Sequence, residues 1–258
     1  MPKRRFAFSR AIMALVLREM SSTYGRSPGG YIWAILEPIA GIAIFALAFG
    51  VMGFRPPLGE SFGLFFATGF LPLALYMNLT VKVGGAIRYS RALLAYPKVT
   101  YIDAIIGRVV LTFLTQLVVF IIIVTGIIWG GDLNLIIDYT RIARAFAMAL
   151  ALGVGVGMVN CFLMSMFPIW QFIWAVLNRP MFIASGVLFL IDGISEDIRN
   201  MIMLNPMAHV VSMMRSGLFS SYDAPYVSEV YVYMVAGVLA LLGMILLHRY
   251  HRVILDEG

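Results

Sequence analysis

The sequence predicts an all-α integral membrane protein with six transmembrane helices, an N-terminal interface helix, a cytoplasmic helix between spans two and three, and a re-entrant outer hairpin before the last span. Three observations carry that prediction. Of 258 residues, 61% are apolar and 12% charged, with a mean hydropathy of +0.92, whereas a soluble domain carries roughly 25% charged residues. Apolar runs reach the ~20 residues that a helix needs to cross a hydrocarbon layer, and none alternates polar and apolar residues as barrel strands do. The cations also segregate. With both termini inside, the cytoplasmic side holds twelve: Lys3, Arg4, Arg5, Arg10, Arg18, Arg26, Lys82, Arg88, Arg91, Lys98, Arg249 and Arg252. The outer loops hold five, Arg55, Arg141, Arg144, Arg199 and Arg215, and Lys and Arg alone set the orientation of a multi-pass chain.

The same totals exclude several classes. A net charge of +6 in so apolar a chain reflects cytoplasmic loops rather than nucleic-acid binding. A single Cys161 excludes an intrachain disulfide framework and offers no metal cluster. The N-terminus lacks the small-residue cleavage site of a signal peptide, so no segment is expected to be removed.

In chain order, residues 1–29 carry Phe8, Ile12, Leu15 and Val16 on one helical face with Arg10 and Arg18 off it, which suits a helix lying in the interface. Glu19 interrupts that stripe, and a basic flank that only fixes orientation is the alternative. The spans are expected at 31–54, 62–82, 104–129, 142–166, 169–191 and 230–247. Residues 84–101 read as a short cytoplasmic helix with Arg88, Arg91 and Lys98 on its basic side, Leu93, Leu94 and Tyr96 available for burial, and Pro97 as its stop. A solvated basic loop is the other reading. In the outer segment, Ser195 before Glu196 and Asp197 marks a helix start, and Asn205-Pro206 breaks the chain. Met207, Val210, Val211, Met214 and Leu218 then form an apolar stripe. The hairpin 194–220 is therefore either re-entrant, closing a pathway, or an ordinary surface hairpin; irregular backbone at membrane depth is tolerated only against protein or a water-filled cavity.

Catalytic chemistry is missing. No GxxxxGK[ST] loop occurs, since Gly153, Gly155 and Gly157 lie in mid-span with no lysine after them. Those glycines, with Gly126 and Gly130, are expected to be close-packing faces between helices. His248-Arg249-Tyr250-His251 lacks a metalloprotease glutamate and reads as a solvated flank, so no metal site is expected. The ionisable groups within spans are Glu37, Arg108 and Arg179, accompanied by Gln116, Asn160 and Asn178. Such groups mark function by default because an unpaired charge there is costly. Glu37 and Arg108 are expected to pair at the inner entrance, and Arg179, between Asn178 and Pro180, either meets anionic cargo or pairs structurally. Tyr31, Trp33, Tyr76, Trp129, Trp170 and Trp174 could carry sliding sugar rings or simply sit at the lipid interface.

Arg18-Glu19, Tyr24, Ser27, Gly30-Tyr31-Ile32-Trp33 and Leu36-Glu37-Pro38 resemble the approach to the first span in ABC-2 type exporter permeases, and the Glu37-Pro38 pairing is most similar to the capsular polysaccharide branch. The resemblance covers nearly the whole chain, down to Asn205-Pro206, His209 and Arg215 before the last span. It implies a homodimeric permease in the bacterial inner membrane, bound to two copies of a separate ATPase that holds ATP and Mg, with no cofactor in this chain. It implies that Arg88, Arg91, Leu93, Leu94, Tyr96, Pro97 and Lys98, with Arg18, form the ATPase-coupling surface. It further implies that Tyr31, Trp33, Glu37, Arg108, Asn178, Arg179, Asn205, Pro206, His209 and Arg215 lie along the substrate path or gate. The cargo would be a lipid-linked, acidic polysaccharide, passed to a periplasmic adaptor and an outer-membrane channel. A permease for O-antigen, teichoic acid or a drug would share this architecture, whereas an intramembrane glycolipid enzyme would need an Asp, Glu or His cluster that the sequence lacks.

Overall fold

A computed structural model describes residues 30–94 and 100–256, and the regular elements among them are helical. They are α1 Gly30–Val51, α2 Phe62–Gly84, α3 Ala86–Leu94, α4 Tyr101–Gly130, α5 Tyr139–Met166, α6 Trp170–Ala184, a 3-10 turn Ile191–Gly193, α7 Glu196–Met203, α8 Pro206–Leu218 and α9 Glu229–Asp256. The interface helix expected over 1–29 lies outside the described residues.

Five helices, α1, α2, α4, α5 and α9, are long and apolar enough to cross a membrane. The span expected at 169–191 differs. It becomes α6, whose 15 residues reach about 22 Å at 1.5 Å per residue, short of a full crossing. Pro180 removes an N–H from its last turns, and Gly186 at φ +72° turns the chain away in a left-handed conformation.

The bundle is built around α2. The most apolar window of α2 is 72% buried, against 11% for α1, 22% for α9 and 28% for α4, so α2 is the inner helix and the other three present apolar faces outward. Lipid tails are as apolar as leucine, so helix association here depends on close fit rather than on expelling water. α5 supplies that fit through glycine. A Cβ on Gly153 or Gly157 would stand 2.8 Å from Leu79 or Val83 of α2, and one on Gly155 would stand 2.4 Å from the Ala236 carbonyl oxygen of α9. Among the described residues nothing lies within 4 Å of a Cβ on Gly126 or Gly130, so the packing role expected of them is not met among those residues. α9 also runs past its expected end at 247, taking the His248 to His251 stretch into the helix, where Tyr250 meets Phe162 with ring centroids 5.5 Å apart. Tyr76, expected near a surface, is buried in the core.

Candidate functional site

Towards the start of α1 and the end of α2, a cleft of about 460 Å³ opens between α1, α2 and α4, lined by Trp33, Glu37, Asn78, Lys82 and Gln116 among apolar neighbours. Trp33 is 58% exposed and Glu37 is exposed. Asn78 and Lys82 lie outside the expected path residues, yet both pairs, Trp33 with Glu37 and Asn78 with Lys82, are spaced four apart, the interval that puts two side chains on one helix face. That spacing on two adjacent antiparallel helices is the signal by which the cleft could have been found.

The expected Glu37–Arg108 pair does not form. Arg108 is buried on α4, donates from Nη1 to the Lys82 carbonyl at 3.0 Å and stacks 4.8 Å from the Tyr89 ring centroid. The last carbonyls of a helix lack intrahelical partners and carry the negative end of its dipole, so the end of α2 draws this cation away from Glu37. On α3, Arg88 Nη2 donates to Gln171 Oε1 of α6 at 2.7 Å. The side chains of Arg91, Leu93 and Leu94, all of Tyr96, Pro97, Lys98 and Arg18, and the Tyr31 side chain lie outside the described residues. Arg179 is exposed on α6, and the neighbouring Asn178 is half-buried with its Oδ1 unbonded. Trp170 and Trp174 are committed: their indole N–H groups donate to Asn160 Oδ1 at 2.9 Å and to Thr80 Oγ1 at 3.2 Å.

At the opposite end of α2, the break expected at Asn205-Pro206 separates α7 from α8. Asn205 caps α8 by accepting from the Met207 N–H at 3.0 Å, and Pro206 occupies the first turn where its missing N–H costs nothing. Asn205 Nδ2 also donates to the Ala184 carbonyl at 3.1 Å and to Ser185 Oγ at 3.3 Å. α8 is almost entirely buried against α2, α5 and α9, and a Cβ on Gly217 would stand 3.0 Å from the Ile142 nitrogen, so its end is pressed against the start of α5.

Two ionisable residues hold this hairpin. His209 accepts the Ser228 N–H on Nδ1 at 3.2 Å, which leaves the proton on Nε2 to donate to the Met203 carbonyl at 2.9 Å. Burial lowers its pKa, with the Met203 carbonyl opposing, and the ring stays neutral. Arg215 is wholly buried, yet donates to the Val187 and Phe189 carbonyls, each at 2.8 Å, and lies 4.2 Å from the Phe65 ring centroid. Phe65 and Gly69, which both approach this arginine, stand one to two turns inside α2, roughly 5–10 Å from its start. The carbonyls of Val187 and Phe189 in the irregular stretch 185–190 are thus supplied with donors inside the protein. Beside it, Tyr226 bridges Tyr222 and Asp192 Oδ2. The ion pairs Arg141–Asp223 and Arg144–Glu229, each 3.3 Å, are largely exposed, with Glu229 half-buried, and contribute little. Among the described residues, no group of three His, Cys, Asp or Glu could hold a metal ion.

A family model described as "ABC-2 type transporter" matches residues 10–219. The polysialic acid transport protein KpsM of Escherichia coli is 28% identical over 235 residues, 91% of each chain. The capsule polysaccharide export inner-membrane protein CtrC of Neisseria meningitidis serogroup B is 25% identical over 243 residues, 94% of this chain and 92% of its own. The protein of the same description from Haemophilus influenzae, BexB, is 23% identical over 248 residues, again 94% and 92%.

Proposed function

The chain belongs to the ABC-2 type transporter family, and we propose that within it the cargo is a lipid-linked capsular polysaccharide moved outward across the inner membrane. It is a permease component of such a transporter, and an ATPase carried on a separate chain supplies the energy, in keeping with the missing phosphate loop. The observation that carries the reading is similarity over nine-tenths of both chains to proteins named for polysialic acid transport and capsule polysaccharide export.

In this reading two copies pair around a conduit, and α3 with the residues after it, Arg88 to Lys98, seats in the ATPase, aided by Arg18. The inner cleft holding Trp33, Glu37, Asn78, Lys82 and Gln116 forms part of the cargo path. It sets a carboxylate and two amides beside an indole, a combination that suits sugar hydroxyls and the apolar face of a pyranose ring. The hairpin of α7 and α8, held by Asn205, His209 and Arg215, is the outer gate. ATP and Mg belong to the partner, and a periplasmic adaptor and an outer-membrane channel receive the cargo.

The test is deletion of the gene followed by analysis of what accumulates inside the cell. Capsular polysaccharide retained in the cytoplasm and restored to the surface by complementation is the expected result. Retention of O-antigen or teichoic acid instead would reassign the cargo. Replacing Leu93, Leu94 and Tyr96 by polar residues should release the ATPase from a permease that still folds; an intact complex would remove the coupling assignment.

A further inference from the structure

α6 is set apart from the rest of the bundle by how it is attached. It has no fully buried residue, and its ring contacts among the described residues are those of Phe182 with Phe45 and Phe70, at centroid distances of 5.4 and 6.2 Å; weakly packed elements are the ones that move at low free-energy cost. Its other attachments are polar. Near its start, Gln171 accepts the 2.7 Å bond from Arg88 of α3, and Trp170 and Trp174 donate to α5 and α2. At its far end, the Ala184 carbonyl and Ser185 hydroxyl accept from Asn205, which also caps α8. Beyond Ser185, the Val187 and Phe189 carbonyls are held by Arg215 of the same α8. A cavity of about 170 Å³, lined by residues including Arg88, Tyr89, Met164, Gln171 and Trp174, lies at the inner joint and leaves room for it to shift.

We propose that Gln171 and Asn205 are positioning residues of the transport cycle, coupling α3 through α6 to the outer hairpin. A displacement of α3 is passed through the charge-assisted Arg88–Gln171 bond, which is stronger than a neutral one, along the length of α6. It is delivered at Ala184 and Ser185 to Asn205, and so to the capped start of α8. Because Arg215 ties 187–189 to α8, the turn and the hairpin respond together. This inference rests on the reading of α3 as the ATPase-facing helix.

The test uses the full permease co-expressed with its ATPase, measuring complex formation, ATP turnover and export together. Gln171→Ala should leave the ATPase bound and hydrolysing while export falls by about threefold, the modest factor expected when one solvent-exposed charge-assisted hydrogen bond of coupling is lost. The exchanged pair Arg88→Gln with Gln171→Arg rebuilds the bond in reverse and should restore export. Asn205→Asp keeps the helix cap but removes the donor to Ala184, and should uncouple ATP turnover from export in the same way. Wild-type export from Gln171→Ala or Asn205→Asp, or failure of the exchanged pair to rescue a folded, ATPase-bound permease, would overturn the relay. A wild-type chain that binds no ATPase would overturn the functional reading instead, so the two failures are distinct.

Discussion

Arg215 carries a charge where no solvent reaches it, and two backbone carbonyls make that possible. Arg215→Met would leave both carbonyls without a donor, each costing about 1–3 kcal/mol, a large part of the stability of any native protein. Thermal unfolding of the purified permease in detergent should show a clear loss for Arg215→Met. It should show a smaller loss for Arg215→Lys, whose ammonium is a point charge without the planar fork. A Met variant as stable as wild type would refute the role. The residue itself stands out in the sequence, as an arginine in a mostly apolar helix. Its partners do not, because they are carbonyls 26 and 28 residues away in a stretch with no motif. Glu37 and Arg108 teach the same lesson: each is conspicuous alone, but in place of the expected pairing Arg108 donates to the Lys82 carbonyl near the end of α2 and stacks on Tyr89.

Among the elements, α5 is the one whose sequence pattern translates most directly into contact. Its alternate glycines face two different helices, with Gly153 and Gly157 against α2 and Gly155 against α9. Gly155→Ala would press a methyl onto a backbone oxygen, which cannot rotate aside, and overpacking of this kind costs about 1–3 kcal/mol. Gly126→Ala, with open space around it, should be neutral or should stabilise by up to about 1 kcal/mol through helix propensity. Comparing the two variants by thermal unfolding checks this, and equal effects would contradict it. Glycine content was legible; which glycines meet a neighbour was not, because that depends on helix rotation and crossing. α6 shows the opposite case. Its composition suits a full span, but Pro180 and the left-handed turn at Gly186 shorten it, and the length of an apolar run carries no record of where its ladder stops.

For the whole molecule, the arrangement of exposed faces sets how it assembles. α9 exposes aliphatic residues such as Val238, Leu241 and Leu242, a face suited to lipid tails. α1 exposes Trp33, Glu37, Ala40 and Ile44 at helical spacing along one side, and a carboxylate facing lipid is costly, so this side turns toward water or another copy. With two copies paired as proposed and this side at their interface, Ile44→Cys should yield a covalent dimer on oxidation in native membranes, while Val238→Cys should not; the native Cys161 is buried and stays out of the reaction. Crosslinking of equal yield from both would contradict this placement of the proposed interface. Membrane residence and the helical class were readable from composition and periodicity, because a bilayer demands long apolar helices whatever their neighbours. The cleft between α1, α2 and α4, the backbone-bound arginines and the attachments of α6 were not. They join residues far apart in the chain through helix rotation, and bonds to backbone carbonyls leave no mark on the identity of the residue that accepts them.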